Sequence, residues 1–295
     1  MLIKKRISVA YFMRHIMWDL IAILCFAVLA GMFDHFGVLR EVKIPLAVTS
    51  FTGTILSLLL AFRTSQSYER WWEARIVWGA IVNDSRSLIR QVKQYMPNNA
   101  EGLEVAKDFA RRQGVWCFAL GESLRKCDHS TKVLDYFKNT GDDSTNKPNL
   151  MLNHHSDALA EACERFNIDP NKQVQIDNTI VKLCDSMGRC ERIKNTVFPR
   201  AYSLLIHVLI YALMTLLPFG LEDQSKIVEV ALTVIIPALF IAIEQTAIFM
   251  QDPFENRPTD TPMTTLAKTI ENNLMEMVGE PPANKIEPPT TYYIM

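Results

Sequence analysis

Four long apolar runs, at 17–33, 44–62, 201–221 and 227–250, limit what this chain can fold into. A bilayer core is crossed by about 20 apolar residues in helical conformation, and each run is near that length. Lipid offers the backbone no hydrogen bonds, so such runs cross it as helices. The period-two alternation of strands is missing from the whole chain, and the expected fold class is all-α. The runs form two pairs around a long polar middle. This predicts a membrane protein of two helical hairpins with a large helical insert. A formal charge of -1 supplies no basic field for phosphates, so no nucleic-acid partner is expected.

Lys4, Lys5, Arg6 and Arg14 stand before the end of the first run's approach, which places the amino terminus in the cytoplasm. No small-residue cleavage site follows that run, so it reads as a retained helix and not a leader. Four spans return the carboxyl terminus to the same side and put the links 34–43 and 222–226 outside. The expected organisation is therefore two spans in 1–62, a cytoplasmic helical domain in 63–196, two spans in 197–250, and a cytoplasmic turn, helix and tail in 251–295.

The second run passes into "RTSQSYERWWEARIVWGAIVND" with no Pro, and no Gly before Gly79, to stop it at the junction, which predicts one helix through both. "MPNNAEG" ends it. Further helices are expected over about 103–121, from Pro170 to about 196 with Asp169 as cap, and over 264–278. The stretch 139–149 reads as loop. Six cysteines without a C-x-x-C pair suggest reduced thiols. His154 and His155 read as a loop pair without ligands at metal spacing. Nucleotide-binding, metalloprotease and nucleophile-elbow motifs are missing, so neither an enzyme nor a cofactor or metal site is expected.

Two features bear on function. Glu244 lies inside the fourth run, where a carboxylate costs about 2.5–3.5 kcal/mol and must face a partner or a cavity. In "SFTGTILSLLLAFR", Phe51, Ile55 and Leu59 share one helical face with Ala47, beside a face of Ser50, Thr54 and Ser57. Helix packing through small hydroxyl residues explains this pattern. So does a pore lined by apolar rings, with the hydroxyls bonding neighbouring helices.

"SFTGTILSLLLAFRTSQSYERWWEARIVWGAIVNDSR" together with "IEQTAIFMQDPFE" resembles the bestrophin family of ion channels, in its bacterial branch. The resemblance implies a homopentamer in the inner membrane, with itself, membrane lipid and permeating monovalent ions as partners. It implies a neck at Phe51 and Ile55, a third ring at Ala47 or Leu59, and a lower aperture at Ile168. Within the branch it favours cations such as sodium. A chloride channel of the same build, a secondary transporter and a non-conducting scaffold are the alternatives. Animal members follow the fourth span with a dense acidic calcium clasp, whereas "QDPFENRPTDTPM" offers only Asp252, Glu255 and Asp260.

Overall fold

A computed structural model describes residues 9–35, 44–142, 144–196, 198–221 and 226–284. The basic cluster Lys4, Lys5 and Arg6, the links 36–43 and 222–225, and the tail beyond 284 lie outside them. The described residues are helical without a strand: α1 (Val9–His35), α2 (Leu46–Tyr95), α3 (Ala100–Arg125), α4 (Thr131–Thr140), α5 (Lys147–Phe166), α6 (Pro170–Asn195), α7 (Arg200–Gly220), α8 (Lys226–Gln251) and α9 (Met263–Met277). Four of them, α1, α2, α7 and α8, are long and apolar enough to cross a membrane.

The chain divides into two compact units. One comprises Arg6–Arg70 and Val197–Asp252, and so holds α1, the first part of α2, α7 and α8. Its core is mainly aliphatic, with Ile16, Ile23, Leu56, Leu60, Ile206, Ile210 and Ile241 buried and Phe26, Tyr202 and Phe240 packed against them. Gly220 lets α7 come close to α2, because a Cβ there would lie 2.8 Å from Thr49 Oγ1. The Tyr202 hydroxyl of α7 donates to the Leu59 carbonyl at 3.0 Å. Much of each membrane-length helix nevertheless stays uncovered within the single chain.

The second unit runs from Trp71 to Thr196 and resumes at Pro253. α2 is unbroken over 50 residues, as its sequence predicts, and its residues from Trp71 onward belong here. Trp78, Phe109, Trp116 and Phe254 are fully buried at the centre of the core. The α2–α3 turn requires glycine at 102, where a Cβ would lie 2.1 Å from the Pro97 carbonyl oxygen. Asn99 caps α3 by accepting the Gly102 N–H, and Asp169 caps α6 by accepting that of Asn171. The loop expected at 139–149 is shorter than its composition suggests. α4 extends to Thr140, and α5 begins at Lys147 under an Asn146 cap with Pro148 in its first turn.

The histidine pair stands on α5 and not on a loop. His154 meets the Tyr136 hydroxyl at 2.7 Å and Asp142 at 3.1 Å. His155 is closed from solvent against Phe109, and neither ring nitrogen has a hydrogen-bond partner among the described residues. Burial, reinforced by the Arg112 and His154 charges, holds its pKa well below the usual histidine value. A neutral folded form has a signed consequence. The contribution of His155 to stability is full above the unfolded pKa of about 6.5 and is lost as pH falls below it, because the unfolded chain then takes the proton. His155→Phe is expected to flatten this acid limb. Its thermal midpoint should exceed wild type more at about pH 5.5 than at about pH 7.5. An equal difference at both pH values would show that His155 does not titrate on unfolding.

All six cysteines are free. Burial raises the Cys117 and Cys190 thiols to about 12, which makes them inert packing groups.

Candidate functional site

The first part of α2 carries two unlike faces. Thr49, Leu56, Leu60, Arg63 and Ser67 are buried in the membrane-length unit. On the other side Phe51 and Leu58 are each 68% exposed and Phe62 is 55% exposed, with Ala47, Thr54, Ala61 and Ser65 also uncovered. At 100° per residue, Leu58 and Phe62 fall within about 20° of Phe51, while Ile55 is turned by about 40° and Leu59 by about 80°. Burial follows this angle. Ile55 is half-buried, and Leu59 is half-buried with its side chain against the aliphatic core. Of the ring positions expected from sequence, Phe51 thus stands on the open face, Ile55 on its flank, and Leu59 against the unit's own core. Leu58 and Phe62 share the open face and were not singled out by the sequence. Apolar residues run all the way round this segment, so periodicity could not choose among its faces.

The hydroxyls also differ from expectation. Thr52 donates to the Val48 carbonyl at 2.9 Å, Thr54 to Ser50 at 2.9 Å and Ser57 to Gly53 at 2.8 Å. Each bonds one turn back on its own helix and not to a neighbouring helix. A hydroxyl satisfied in this way tolerates an apolar or dewetted surface, because no unpaired donor is left.

Glu244 of α8 is 3% exposed and Arg63 of α2 is 2% exposed. Arg63 Nη1 lies 2.5 Å from Glu244 Oε1, and the guanidinium stands 5.3 Å from the Phe198 ring centroid. His207 of α7 reaches the same Glu244 oxygen at 3.2 Å. A small cavity of about 30 Å³ beside them is lined by residues that include Asp19, Tyr211, Glu244 and Gln245. Four helices therefore share one polar cluster. Sequence alone identified Glu244 but not its partners, because Arg63, His207 and Asp19 are brought to it from the other three helices. Their signal was present: each is an ionisable residue within or at the end of an apolar run.

The end of α8 is tied to α2 by Arg70 Nε, which donates to the Gln251 carbonyl at 3.0 Å. In the turn that follows, Glu255 pairs with Lys194 and Asp260 accepts the Arg257 N–H at 2.9 Å. Among the described residues no cluster of three or more His, Cys, Asp or Glu could hold a metal ion.

Ile168 belongs to the other unit. It follows Asn167, whose φ of 49° lets α5 end in a left-handed turn, and its N–H donates to the Cys163 carbonyl at 3.0 Å. Its side chain is half-buried against that unit's core.

The family model described as "Bacterial/Fungal Bestrophin protein" matches residues 6–276. Among curated proteins, a voltage-dependent anion channel-forming protein of Ralstonia nicotianae is 28% identical over 246 residues, covering 81% of this chain and 80% of that protein. The voltage-dependent anion channel-forming protein YneE of Escherichia coli K12 is 29% identical over 253 residues, covering 84% and 80%. Among solved structures, a bacterial bestrophin homologue from Klebsiella pneumoniae superposes with a TM-score of 0.80 at 25% identity, covering 90% of this chain and all of that one.

Proposed function

This chain belongs to the bacterial and fungal bestrophin family, and from that premise we propose that it is a passive ion channel, built as a homopentamer around one axial pore. The observation that carries the reading is the open face of α2. Phe51, Leu58 and Phe62 are large apolar groups left uncovered while the opposite face is packed into the protomer's own core. Five copies facing an axis turn that stripe into rings, with Ile55 at their margin. Water leaves such a constriction readily, so ions pass slowly and charge selection is weak at the neck itself. Leu59 fits a ring less well, since its side chain already has partners. Ile168, at the α5–α6 turn, is retained as the candidate for the lower aperture.

A carrier would want broken helices around a midplane site. α7 and α8 hold Pro218 and Pro237 yet run through them as continuous helices, which favours a channel. The location proposed is the inner membrane, with both termini and the unit beginning at Trp71 in the cytoplasm. The cation preference expected from the sequence rests on branch resemblance alone. The names of the curated relatives favour anions instead.

Purified protein in liposomes tests the proposal. Non-saturating ion flux is expected, and reversal potentials in unequal salt give the sign of the ion. Saturable exchange would indicate a carrier, and silence in sealed vesicles would leave a scaffold.

A further inference from the structure

His207 has its Nδ1 against two acceptors, the Ser203 carbonyl at 2.9 Å and Glu244 Oε1 at 3.2 Å. A carbonyl and a carboxylate only accept, so the hydrogen of the neutral ring sits on Nδ1 and Nε2 is its basic atom. The side chain is 48% exposed within the single chain, on a helix long and apolar enough to cross a membrane. The same Glu244 oxygen takes Arg63 Nη1 at 2.5 Å. Two cationic or donor groups, from α2 and α7, converge on one carboxylate oxygen of α8.

From this geometry we infer that His207, Glu244 and Arg63 form a proton-binding site that regulates the pore. The inference rests on the channel reading above. The titratable and charged groups around the ring are Asp19 of α1, Arg63 of α2, Tyr211 of α7 and Glu244 of α8, with His15 of α1 packed edge-on against Phe249 of α8. The adjoining cavity of about 30 Å³ is large enough for a water that could carry a proton between Asp19 and Glu244.

With His207 neutral, the Glu244 carboxylate is balanced by Arg63 alone. When Nε2 takes a proton, a second cation competes for the same oxygen and repels the guanidinium across it. The hold of α8 on α2 weakens. Arg63 directly follows Phe62 on the open face, so the loosening acts one residue from the neck. Acid therefore favours a wider neck and more current. His207→Gln retains a side-chain amide donor but cannot gain a proton.

The test uses full-length wild type and His207→Gln in liposomes at about pH 7.5 and about pH 5.5, together with nitrogen-15 NMR of the histidine rings in detergent. Wild-type flux is expected to rise about threefold or more at the lower pH, and the variant by much less. The ring signal lost in His207→Gln should report an Nδ1–H tautomer that becomes doubly protonated on acidification. A wild-type response retained in the variant, no response in wild type, or an Nε2–H tautomer would each overturn the inference. If wild type carries no current at either pH, the channel reading fails, and the proton site then stands or falls on the tautomer and its titration.

Discussion

Glu244→Ala is expected to destabilise the membrane-length unit by about 3–5 kcal/mol, because it leaves the Arg63 charge buried without its partner. Arg63 and Glu244 are 2% and 3% exposed, so water cannot take over the lost contact. In hydrocarbon the orphaned guanidinium is costlier still, and His207 cannot neutralise it. For a chain of this size the apparent midpoint in detergent should fall on the order of 10 °C. Removing both charges should recover much of the loss. In Arg63→Met with Glu244→Leu, apolar groups fill the space and nothing is left to desolvate, an exchange that is often neutral or favourable. Thermal unfolding of the wild type and both variants, read by the monodisperse fraction after heating, checks this. If Glu244→Ala were as stable as wild type, the pair would have to be open to water and the cluster could not be the buried tie described above.

Leu58→Ala is expected to raise single-channel conductance several-fold. The side chain is 68% exposed in one protomer and lies on the angular centre of the open face. In the proposed pentamer, truncating it in five copies would widen a ring at the neck and lower the cost of keeping water there. Folding should barely notice, since little buried area is lost. Leu59→Ala is the informative contrast. One residue along, it is half-buried against the core and its carbonyl holds Tyr202. That substitution should cost stability with little gain in conductance. Leu24→Ala on α1, at a residue 51% exposed, serves as a surface control. Recordings in which Leu58→Ala and Leu24→Ala behave alike would take the stripe out of the pore. A conductance gain in Leu59→Ala alone would return the neck to the face first read from the sequence.

Local chemistry made much of this molecule legible in its sequence. The apolar runs gave four membrane-length helices because transfer to lipid depends on summed side-chain hydropathy, which composition reports directly. The unbroken α2 was readable because nothing in 62–95 interrupts helical bonding, and the Asp169–Pro170 cap because it acts within one turn. The stretches "SFTGTILSLLLAFRTSQSYERWWEARIVWGAIVNDSR" and "IEQTAIFMQDPFE" carried the family resemblance. By contrast, the length of the 139–149 loop was misjudged. Polar residues suit both a turn and the exposed face of a helix, and α4 and α5 claim most of that stretch.

What only the tertiary structure decided is which face of α2 is open and which groups meet Glu244. A helix apolar on every side gives periodicity no contrast, so the choice among Phe51, Ile55, Leu58 and Leu59 awaits the neighbours that cover some and leave others bare. A charge in lipid announces that it needs a partner but not which one. Arg63 lies 181 residues from Glu244 along the chain, and only the packing of α2, α7 and α8 brings the guanidinium and the imidazole to one oxygen.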